Sequence, residues 1–342
     1  MPNARTQVLL PGIVEPEGLE IHREPIPEPR PGQALVAVEA TGVSFAEQQM
    51  RRGRYYDQPP FPFVPGYDLV GRVEKVGSGV EVVRPGSRVA ALTKVGAWSS
   101  HVVLDAADLV AVPDGMESAD AETVVVNGIT AWQMLHRKAK VRKGDTILVH
   151  GANGGVGTTL VQLAKDAGVK VIGTASARHH DRLRELGVEP IDYRTEDVFA
   201  QVRRLAPAGV NAVFDHVGGR SVVNSWQVLA RGGTLVSYGS ASTRDDSGSK
   251  QLPVLSILAR TSLWNLLPNG KHAYFYNIWA GRRFAAKGFR ARLAEDLTAV
   301  LRALRDGRIT AQLAAKFPLT QAAEAVRLAE SGTVTGKVVL IP

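Results

Sequence analysis

Cysteine is absent from this 342-residue chain, which excludes disulfide bonds, thiolate catalysis and every zinc site built on cysteine ligands. Aromatic residues make up only 6% of the chain, and no stripe of basic and aromatic residues suits single-stranded nucleic acid. No apolar run approaches the ~18 residues of a membrane span, and the start lacks the pattern of a signal peptide. We therefore expect a cytoplasmic protein that binds neither membranes nor nucleic acid.

The rest of the composition is that of ordinary globular domains. Hydrophobic residues make up 44% of the chain and charged residues 22%. At roughly 100–200 residues per domain, a chain of this length predicts two domains. The formal net charge is +8, but the positive residues are scattered along the chain. We interpret them as solvated helix faces, with an anionic ligand or nucleic acid as the alternative.

Residues 1–125 are rich in Val, Gly and Pro and show little helical periodicity. Short β-prone runs separated by Gly or Pro predict strands at 34–39, 69–76, 87–92 and 100–104. Many short strands at close spacing are typical of a compact, barrel-like β unit.

From Asn127 onwards, strand and helix patterns alternate, which is typical of a parallel sheet covered by helices. The predicted strands span 146–150, 170–173, 191–193, 212–215, 234–238 and 273–278. The predicted helices span 156–167, 178–186, 196–205, 221–229, 291–303 and 321–329, and a last strand spans 337–341. Residues 242–250 read as a polar loop, and the apolar segment 252–267 is expected to pack on another surface, such as a partner subunit. This order predicts a doubly wound nucleotide-binding domain.

A glycine-rich turn, Gly-Ala-Asn-Gly-Gly-Val-Gly at 151–157, lies between a predicted buried strand and a predicted helix. That context indicates a dinucleotide-binding motif, and an unliganded glycine turn is the alternative. Gly154 lacks a Cβ, so a pyrophosphate can approach the backbone, and Gly157 allows the helix to pack tightly on the sheet. The helix N-terminus offers unpaired N–H groups to the phosphates. We expect the cofactor to contact Asn153, Gly154, Gly155, Val156 and Gly157.

The residues after the second strand of this domain favour NADP over NAD. An NAD site places an acidic residue there to accept a hydrogen bond from the ribose 2′-OH. The stretch 174–178 contains no acid, whereas Ser176 can donate to a 2′-phosphate and Arg178 can pair with it. The sequence therefore predicts NADPH as the cofactor. The alternative is that Arg178 is a solvated residue at the start of a helix.

Motifs along most of the chain are similar to those of a known family. They are Gly-Tyr-Asp-Leu-Val-Gly at 66–71, Val-Gly-Ser-Gly at 76–79, Pro-Gly at 85–86, Asn-Gly-Ile-Thr-Ala-Trp at 127–132, the glycine turn and Gly-Lys-Val-Val-Leu at 336–340. With them the chain resembles the medium-chain dehydrogenase/reductase superfamily, specifically its zinc-free, zeta-crystallin-like quinone oxidoreductase branch. The match is weakest over 241–290.

The resemblance implies an α/β fold with two domains. A distorted, GroES-like β-barrel catalytic domain would comprise residues 1–125 and 282–342, and a Rossmann domain with a doubly wound parallel sheet would comprise residues 126–281, with the active site in the cleft. A homodimer joined through the edges of the Rossmann sheets is also implied, with the strand near 274–278 at the interface. Pairing of this kind satisfies the free backbone groups of an edge strand.

The resemblance also implies that no metal is bound. Zinc-dependent relatives carry Cys where this chain has Ser44 and His where it has Tyr67, and neither replacement is an expected zinc ligand. Without a Lewis acid, the implied substrates accept a hydride easily, as quinones and α,β-unsaturated carbonyl compounds do. The developing oxyanion still needs a hydrogen-bond donor.

The residue matched to that role is Tyr55, as an acid or a substrate clamp. The alternatives are that Tyr55 only packs at the edge of the cleft, or that Tyr56 takes its role. Gln49 stands where bacterial quinone reductases have a second pocket aromatic, so the pocket differs from theirs.

The same resemblance implies further cofactor contacts. Ser44 would donate to the nicotinamide ribose, Thr130 would touch the nicotinamide, and Tyr193 would lie on the adenine side. Gly239 would let the cofactor cross the edge of the sheet. Phe275 would cover the nicotinamide, with a place in a dimer core as the alternative.

The expected function is a zinc-independent, NADPH-dependent reduction of quinones or conjugated carbonyl compounds. One alternative is reduction of the double bond of enoyl thioesters or alkenals, for which the segment 252–267 could line a longer channel. The other is an NADPH-binding protein with little turnover.

Overall fold

The computed structural model describes residues 4–243, 249 and 251–342. Contacts divide the chain into two compact units, which we call unit 1 (Met1–Ile129 with Ala280–Pro342) and unit 2 (Thr130–Trp279). The domain boundaries predicted from the sequence, 125/126 and 281/282, stay predictions. The catalytic and cofactor-binding roles given to the two domains stay predictions.

Unit 1 consists mainly of antiparallel strands. Numbered in chain order through both units, its strands are β1 (Ala4–Leu9), β2 (Glu20–Pro25), β3 (Gln33–Val43), β4 (Asp68–Val76), β5 (Arg88–Leu92), β6 (His101–Asp105), β7 (Val110–Ala111), β14 (Leu313–Pro318) and β15 (Lys337–Ile341). Its helices are α1 (Phe45–Arg51), α2 (Ser118–Thr123), α9 (Ala286–Arg305) and α10 (Ala322–Glu330), and α3 (Val126–Trp132) spans the boundary with unit 2. Among the described residues, the main sheet has the order β14-β15-β3-β4-β5-β7, with β6 also paired to β3.

The C-terminal strand completes the sheet of unit 1. β15 runs antiparallel to β3, with Val339 opposite Gly42, and parallel to β14. Its residues Val338 and Leu340 pack in a core cluster with Val8 of β1 and with Trp98. The final residues therefore return to the N-terminal unit because their apolar side chains are buried there.

Unit 2 is a parallel sheet with helical crossovers. Its strands are β8 (Thr146–Val149), β9 (Lys170–Ala175), β10 (Val188–Asp192), β11 (Val210–Asp215), β12 (Leu229–Ser237) and β13 (His272–Phe275). Its helices are α4 (Gly155–Asp166), α5 (His180–Glu185), α6 (Val198–Leu205), α7 (Arg220–Gln227) and α8 (Leu252–Trp264), with a π-helical segment at Gln133–Ala139. The strand order β10-β9-β8-β11-β12-β13 places the topological switch point between β8 and β11, where doubly wound sheets bind ligands.

Many element ends differ from the predicted ones, and three cases show the physical reasons. The helix predicted at 221–229 ends at Gln227, because Leu229 already begins β12 and is buried in the core of the sheet. The helix predicted at 178–186 is a short 3-10 turn, Ala177–His179, followed by α5. The strand predicted at 273–278 ends at Phe275, which lies opposite Ser237, the last residue of β12.

The segment from 241 to 270 has two parts. The predicted polar loop at 242–250 falls partly on residues 244–248 and 250, which lie outside the described residues. The apolar segment forms α8, which buries Ile257 and Thr261 and exposes leucines at 252, 255 and 263. Over the described ranges, no helix is both long enough and apolar enough to cross a membrane.

Candidate cofactor and active sites

The glycine turn begins where β8 ends and leads into α4. Gly151 has a φ angle of +64°, in the left-handed region that favours glycine. A Cβ on Gly157 would lie 2.2 Å from the carbonyl oxygen of Gly151, whereas a Cβ on Gly154 would meet no described atom closer than 3.4 Å. Gly157 is therefore required by the packing of the turn, and the described residues leave space beside Gly154.

The N-terminus of α4 faces the same turn. Gly154 is the N-cap residue, and no side chain caps the helix. The first backbone N–H groups of an α-helix have no acceptor within the helix and carry the positive end of its dipole. Such a terminus binds phosphate groups well. The turn and helix therefore fit the pyrophosphate of a dinucleotide.

Ser176 and Arg178 follow β9, on the far side of β8 from the switch point. Ser176 is buried, whereas Arg178 is exposed within the turn Ala177–His179. A serine hydroxyl and a solvent-facing guanidinium are a donor set suited to a phosphate monoester. Ser176 and Arg178 are only two positions apart in one short loop, so they lie close together without any long-range contact.

Sequence reasoning missed one acidic residue beside this loop. Asp192 ends β10 opposite Ala175, the last residue of β9. Its carboxylate accepts a hydrogen bond from the backbone N–H of Arg194 at 3.0 Å, and this bond is the main cause of its lowered pKa, with Thr195 and the backbone of Ala177 contributing. The carboxylate is thus engaged by protein donors and ties the loop of Ser176 to β10. The sequence carries no signal for this contact, because it depends on the register between β10 and β9.

Polar side chains form a row at the ends of four adjacent strands. They are Thr174, His150, Asp215 and Ser237, at or just after the ends of β9, β8, β11 and β12. The Thr174 hydroxyl lies 3.5 Å from His150 Nδ1, and His150 Nε2 lies 3.9 Å from Asp215 Oδ2. The sequence analysis did not single out this row, because only the register of the strands aligns it.

Within this row, both carboxylate oxygens of Asp215 accept two hydrogen bonds each. Its Oδ1 accepts from the backbone N–H groups of Val217 and Gly218, at 2.8 and 3.0 Å. Its Oδ2 accepts from the hydroxyls of Ser221 and Ser225, at 2.7 and 2.8 Å. Burial alone would raise the pKa of Asp215, but His150 and these donors hold the pKa below its ordinary value. The carboxylate therefore stays ionised and fixes the loop after β11.

The remaining predicted cofactor residues of unit 2 lie in different environments. Thr130 is buried within α3, and Tyr193 is 53% exposed with the guanidinium of Arg194 over its ring. Gly239 follows β12, and a Cβ there would lie 2.9 Å from the carbonyl oxygen of His216. Phe275 is half-buried and packs against the core of the sheet. Their contacts with a cofactor stay predictions.

In unit 1, Tyr55 pairs with Tyr67. The two hydroxyl oxygens lie 2.9 Å apart, and the rings meet edge to face with centroids 6.5 Å apart. Tyr56 packs against Tyr55 with ring centroids 4.9 Å apart. Burial raises the pKa of Tyr55 far above its ordinary value, and the neighbouring tyrosines raise it further. Tyr55 is therefore a protonated phenol, able to donate a hydrogen bond.

Ser44 has a structural partner that the sequence analysis missed. It caps α1, and both its backbone N–H and its hydroxyl bond to the Glu47 side chain. The other oxygen of Glu47 accepts from the backbone N–H of Tyr67 at 2.7 Å. Burial raises the pKa of Glu47, although the Ser44 bond opposes that effect. The Ser44 hydroxyl is thus already engaged, and its contact with a nicotinamide ribose stays a prediction. The spacing of Ser44 and Glu47 is the sequence signal of a capping box.

A charged cluster lies in the core of unit 1. Lys337 Nζ lies 2.7 Å from Asp68 Oδ2 and 2.6 Å from Glu122 Oε1, and all three residues are at most 2% exposed. Asp68 Oδ2 also accepts from the backbone N–H of Val126 at 2.8 Å. Burial lowers the pKa of Lys337, but the two carboxyl groups more than offset this and raise it. The sequence showed these residues only as parts of motifs.

The residues present do not fit a catalytic zinc. The hydroxyl of Ser44 bonds to Glu47, the hydroxyl of Tyr67 bonds to Tyr55, and the chain has no cysteine. Zinc in proteins is held by thiolate, imidazole or carboxylate groups. Within the part of the chain that the structure describes, no group of three or more such side chains could hold a metal ion.

Two family models match the chain. The alcohol dehydrogenase GroES-like domain matches residues 30–114, and the zinc-binding dehydrogenase model matches residues 186–340. The first match lies in unit 1, and the second covers parts of both units.

Known proteins match over nearly the whole length. The synaptic vesicle membrane protein VAT-1 homolog of Rattus norvegicus is 34% identical over 326 residues, which are 92% of this chain and 78% of that protein. A quinone oxidoreductase from Pseudomonas syringae pv. Tomato has a TM-score of 0.84 at 28% identity, covering 99% of this chain and all of that one. A mycobacterial protein complexed with NADPH has a TM-score of 0.83 at 28% identity, with the same coverage.

An enoyl reductase, CurK, is also similar, with a TM-score of 0.81, 25% identity and coverage of 98% of this chain and 99% of that one. The fold, the family models and the full-length relatives agree with one another. The chain belongs to the medium-chain dehydrogenase/reductase superfamily of oxidoreductases, in its zinc-free quinone oxidoreductase branch.

Proposed function

We propose that this chain is an NADPH-dependent reductase that transfers a hydride to quinones or other conjugated carbonyl compounds without zinc. The observation that carries the proposal is the buried pair of hydroxyls on Tyr55 and Tyr67, 2.9 Å apart. Tyr67 stands where zinc-dependent relatives have a histidine ligand, so a phenol replaces part of a metal site. The similarity to a quinone oxidoreductase supports the substrate class.

The cofactor is NADPH. The turn residues 153–157 and the N-terminus of α4 would hold the pyrophosphate, and Ser176 and Arg178 would hold the 2′-phosphate. The exposed ring of Tyr193 is available to the adenine. Thr130 would touch the nicotinamide, Gly239 would let the cofactor cross the edge of the sheet, and Phe275 would cover the nicotinamide, with a place in the dimer core as its alternative. When bound, NADPH supplies the hydride.

The proposed role of Tyr55 is to donate a hydrogen bond to the substrate oxygen. Reduction of a conjugated carbonyl compound places negative charge on that oxygen, and a preorganised donor stabilises it. The raised pKa of Tyr55 keeps its proton in place at neutral pH. This role requires the hydroxyl of Tyr67 to donate to that of Tyr55, which leaves the Tyr55 proton for the substrate. A donor of this strength suits substrates that are already activated, such as quinones and enones.

The test is a screen of NADPH oxidation by the chelator-treated protein. The acceptors are 1,4-quinones, cyclic enones and enoyl thioesters, each compared at equal concentration. We expect the highest kcat/KM with quinones or enones and no change when zinc is added. Tyr55→Phe should lower kcat about 100-fold, as loss of one oxyanion donor does, whereas Tyr56→Phe should keep kcat within about 2-fold of the parent.

Other results of this screen would favour a different function or a different donor residue. Preference for enoyl thioesters would favour a double-bond reductase. No consumption with any acceptor, together with tight NADPH binding, would favour a binding protein with little turnover. Activity that needs added zinc would refute the zinc-free proposal, and loss of activity in Tyr56→Phe alone would move the donor role to Tyr56.

We also propose a cytoplasmic homodimer. β13 is the edge strand of the unit 2 sheet in the described residues, so its outer backbone groups can pair with those of a second copy. Light scattering after size exclusion would give twice the mass of one 36.7 kDa chain. A monomer mass at micromolar concentration would overturn the proposal.

A further inference from the structure

His216 lies just beyond the end of β11, at the switch point of the unit 2 sheet, and the proposed function gives it no role. Its imidazole lies against the glycine turn. A Cβ built on Gly151 would lie 2.4 Å from the ring Cε1 and 3.2 Å from Nδ1. On its other side, a Cβ on Gly239 would lie 3.3 Å from the Cβ of His216. His216 is therefore flanked by the glycine turn and by Gly239, both of which are proposed to contact the cofactor.

One nitrogen of this ring has no partner. Nδ1 is buried and makes no hydrogen bond to any described residue. Four donors of the loop and helix after β11 are engaged elsewhere, because the hydroxyls of Ser221 and Ser225 and the backbone N–H groups of Val217 and Gly218 all bond to Asp215. The hydroxyl of Ser237 also has no partner among the described residues, so it does not bond to Nδ1. Buried polar atoms in folded proteins almost always have partners, so an unpaired one needs an explanation, and at a ligand site a group of the ligand supplies one.

The ring is a neutral acceptor at Nδ1. Burial lowers the pKa of His216, and this outweighs the opposing effect of Asp215. The backbone of His150 raises the pKa of His216, as a carbonyl oxygen that accepts from a ring N–H does. Because Nδ1 has no partner among the described residues, we place the ring proton on Nε2. In neutral histidine, the nitrogen that does not carry the proton presents a lone pair.

The position of His216 selects one half of the dinucleotide. Ser176 and Arg178 follow β9, on one side of β8, so the adenosine half with its 2′-phosphate belongs on that side. β11 lies on the other side of β8, which is the side left for the nicotinamide half. Phosphate oxygens of the bound dinucleotide accept hydrogen bonds and cannot satisfy an acceptor. The ribose next to the pyrophosphate offers hydroxyl donors.

We propose that His216 Nδ1 accepts a hydrogen bond from a hydroxyl of the nicotinamide ribose. The proposal rests on the proposed function, since it requires that the turn bind NADPH. His216 is then a cofactor-contacting residue that holds the nicotinamide half at the switch point.

The experiment measures affinity by calorimetry, with no turnover. The ligands are NADPH and adenosine 2′,5′-bisphosphate, which has the adenosine half and both of its phosphates but no nicotinamide ribose. His216→Phe keeps a flat ring and removes the acceptor, whereas His216→Asn keeps an acceptor oxygen near the position of Nδ1. We expect His216→Phe to weaken NADPH about 10-fold, which is typical for the loss of one buried hydrogen bond. Adenosine 2′,5′-bisphosphate should bind both variants within about 2-fold of the parent, and His216→Asn should restore most of the NADPH affinity.

A second measurement needs no variant. In the parent protein with ¹⁵N-labelled histidine, the Nδ1 resonance of His216 should move when NADPH is added and stay in place with adenosine 2′,5′-bisphosphate. Equal losses for both ligands, an unchanged NADPH affinity in His216→Phe, or an unmoved Nδ1 resonance would each overturn the proposal for His216. Failure of the parent protein to bind NADPH would instead refute the proposed function, so the two failures are distinguishable.

Discussion

The two units build their buried polar clusters over very different distances along the chain. In unit 2, the four donors to Asp215 all come from residues no more than 10 positions away. In unit 1, Lys337 reaches Asp68 from 269 positions away and Glu122 from 215 positions away. The first cluster fixes the loop after β11. The second forms only when β15, near the end of the chain, folds back onto the unit that contains Asp68 and Glu122. We infer that the cluster of Lys337, Asp68 and Glu122 stabilises the fold of unit 1, and that the strand ends of unit 2 bind the cofactor.

The largest expected effect is on the charged cluster of unit 1. Lys337→Met keeps the length of the side chain but leaves Asp68 and Glu122 buried with no cation. Removing one partner of a buried ion pair costs about 3–5 kcal/mol of folding free energy. We expect a loss of that size in urea unfolding at neutral pH.

The pH dependence of this loss has a definite sign. The pKa of Glu122 is raised by burial and by Asp68, and without Lys337 it should rise further. A carboxyl group whose pKa is raised on folding favours the folded state at low pH and loses that contribution as pH rises through its folded pKa. The loss of folding free energy in Lys337→Met should therefore shrink as pH falls towards the ordinary pKa range of carboxyl groups.

Lys316→Met, an exposed change on β14, is the matched control and should stay within about 0.5 kcal/mol of the parent. A loss below about 1 kcal/mol for Lys337→Met would show that the cluster is not a stability element.

The next effect should be on binding rather than on stability. Arg178→Ala removes the guanidinium proposed to pair with the 2′-phosphate. A hydrogen bond to a charged group contributes about 1.5–3 kcal/mol, so the Kd for NADPH should rise about 10- to 100-fold. The Kd for NADH should change little, because NADH has no 2′-phosphate. Arg184→Ala, which breaks an exposed pair with Asp181, is the control and should alter neither value. Fluorescence titration measures both, and equal losses for NADPH and NADH would show that the 2′-phosphate is not the partner of Arg178.

Elements that depend only on residues close together along the chain could be predicted from the sequence. The strand at 337–341 and the glycine turn that leads into a helix each follow from a local pattern, and the structure has the same elements at those places. Residue periodicity could not show which side chains meet across strands. Asp192 beside Ala175, Asp215 beside Ser237 and the pairing of Tyr55 with Tyr67 all depend on register or on tertiary contact. Element ends were also inexact where burial overrides propensity, as at Leu229, which is buried at the start of β12.

Two glycines of the turn should separate stability from binding. A Cβ on Gly157 would lie 2.2 Å from the carbonyl oxygen of Gly151, so Gly157→Ala should overpack the turn and lower stability by about 1–3 kcal/mol. A Cβ on Gly154 would lie 3.4 Å from the same oxygen, so Gly154→Ala should fold with a Tm near that of the parent. Its methyl group would occupy the space proposed for the pyrophosphate and weaken NADPH binding. Thermal unfolding with and without NADPH measures both effects. A loss of Tm in Gly154→Ala as large as that in Gly157→Ala would contradict the separate roles.

The smallest expected effect concerns Tyr67, which belongs to the proposed active site. Its hydroxyl pairs with that of Tyr55, 12 positions away along the chain. Tyr67→Phe removes one buried hydrogen bond, which should lower the free energy of unfolding by about 1 kcal/mol. It should also lower kcat several-fold with an active quinone, because the Tyr55 hydroxyl loses the group that orients it. Tyr276→Phe, which removes a hydroxyl bond of 2.9 Å to Gln133 in unit 2, is the matched control. The control should lose similar stability and keep its kcat. If both variants kept kcat, Tyr67 would be a packing residue, and the long-range contacts of unit 1 would serve stability alone.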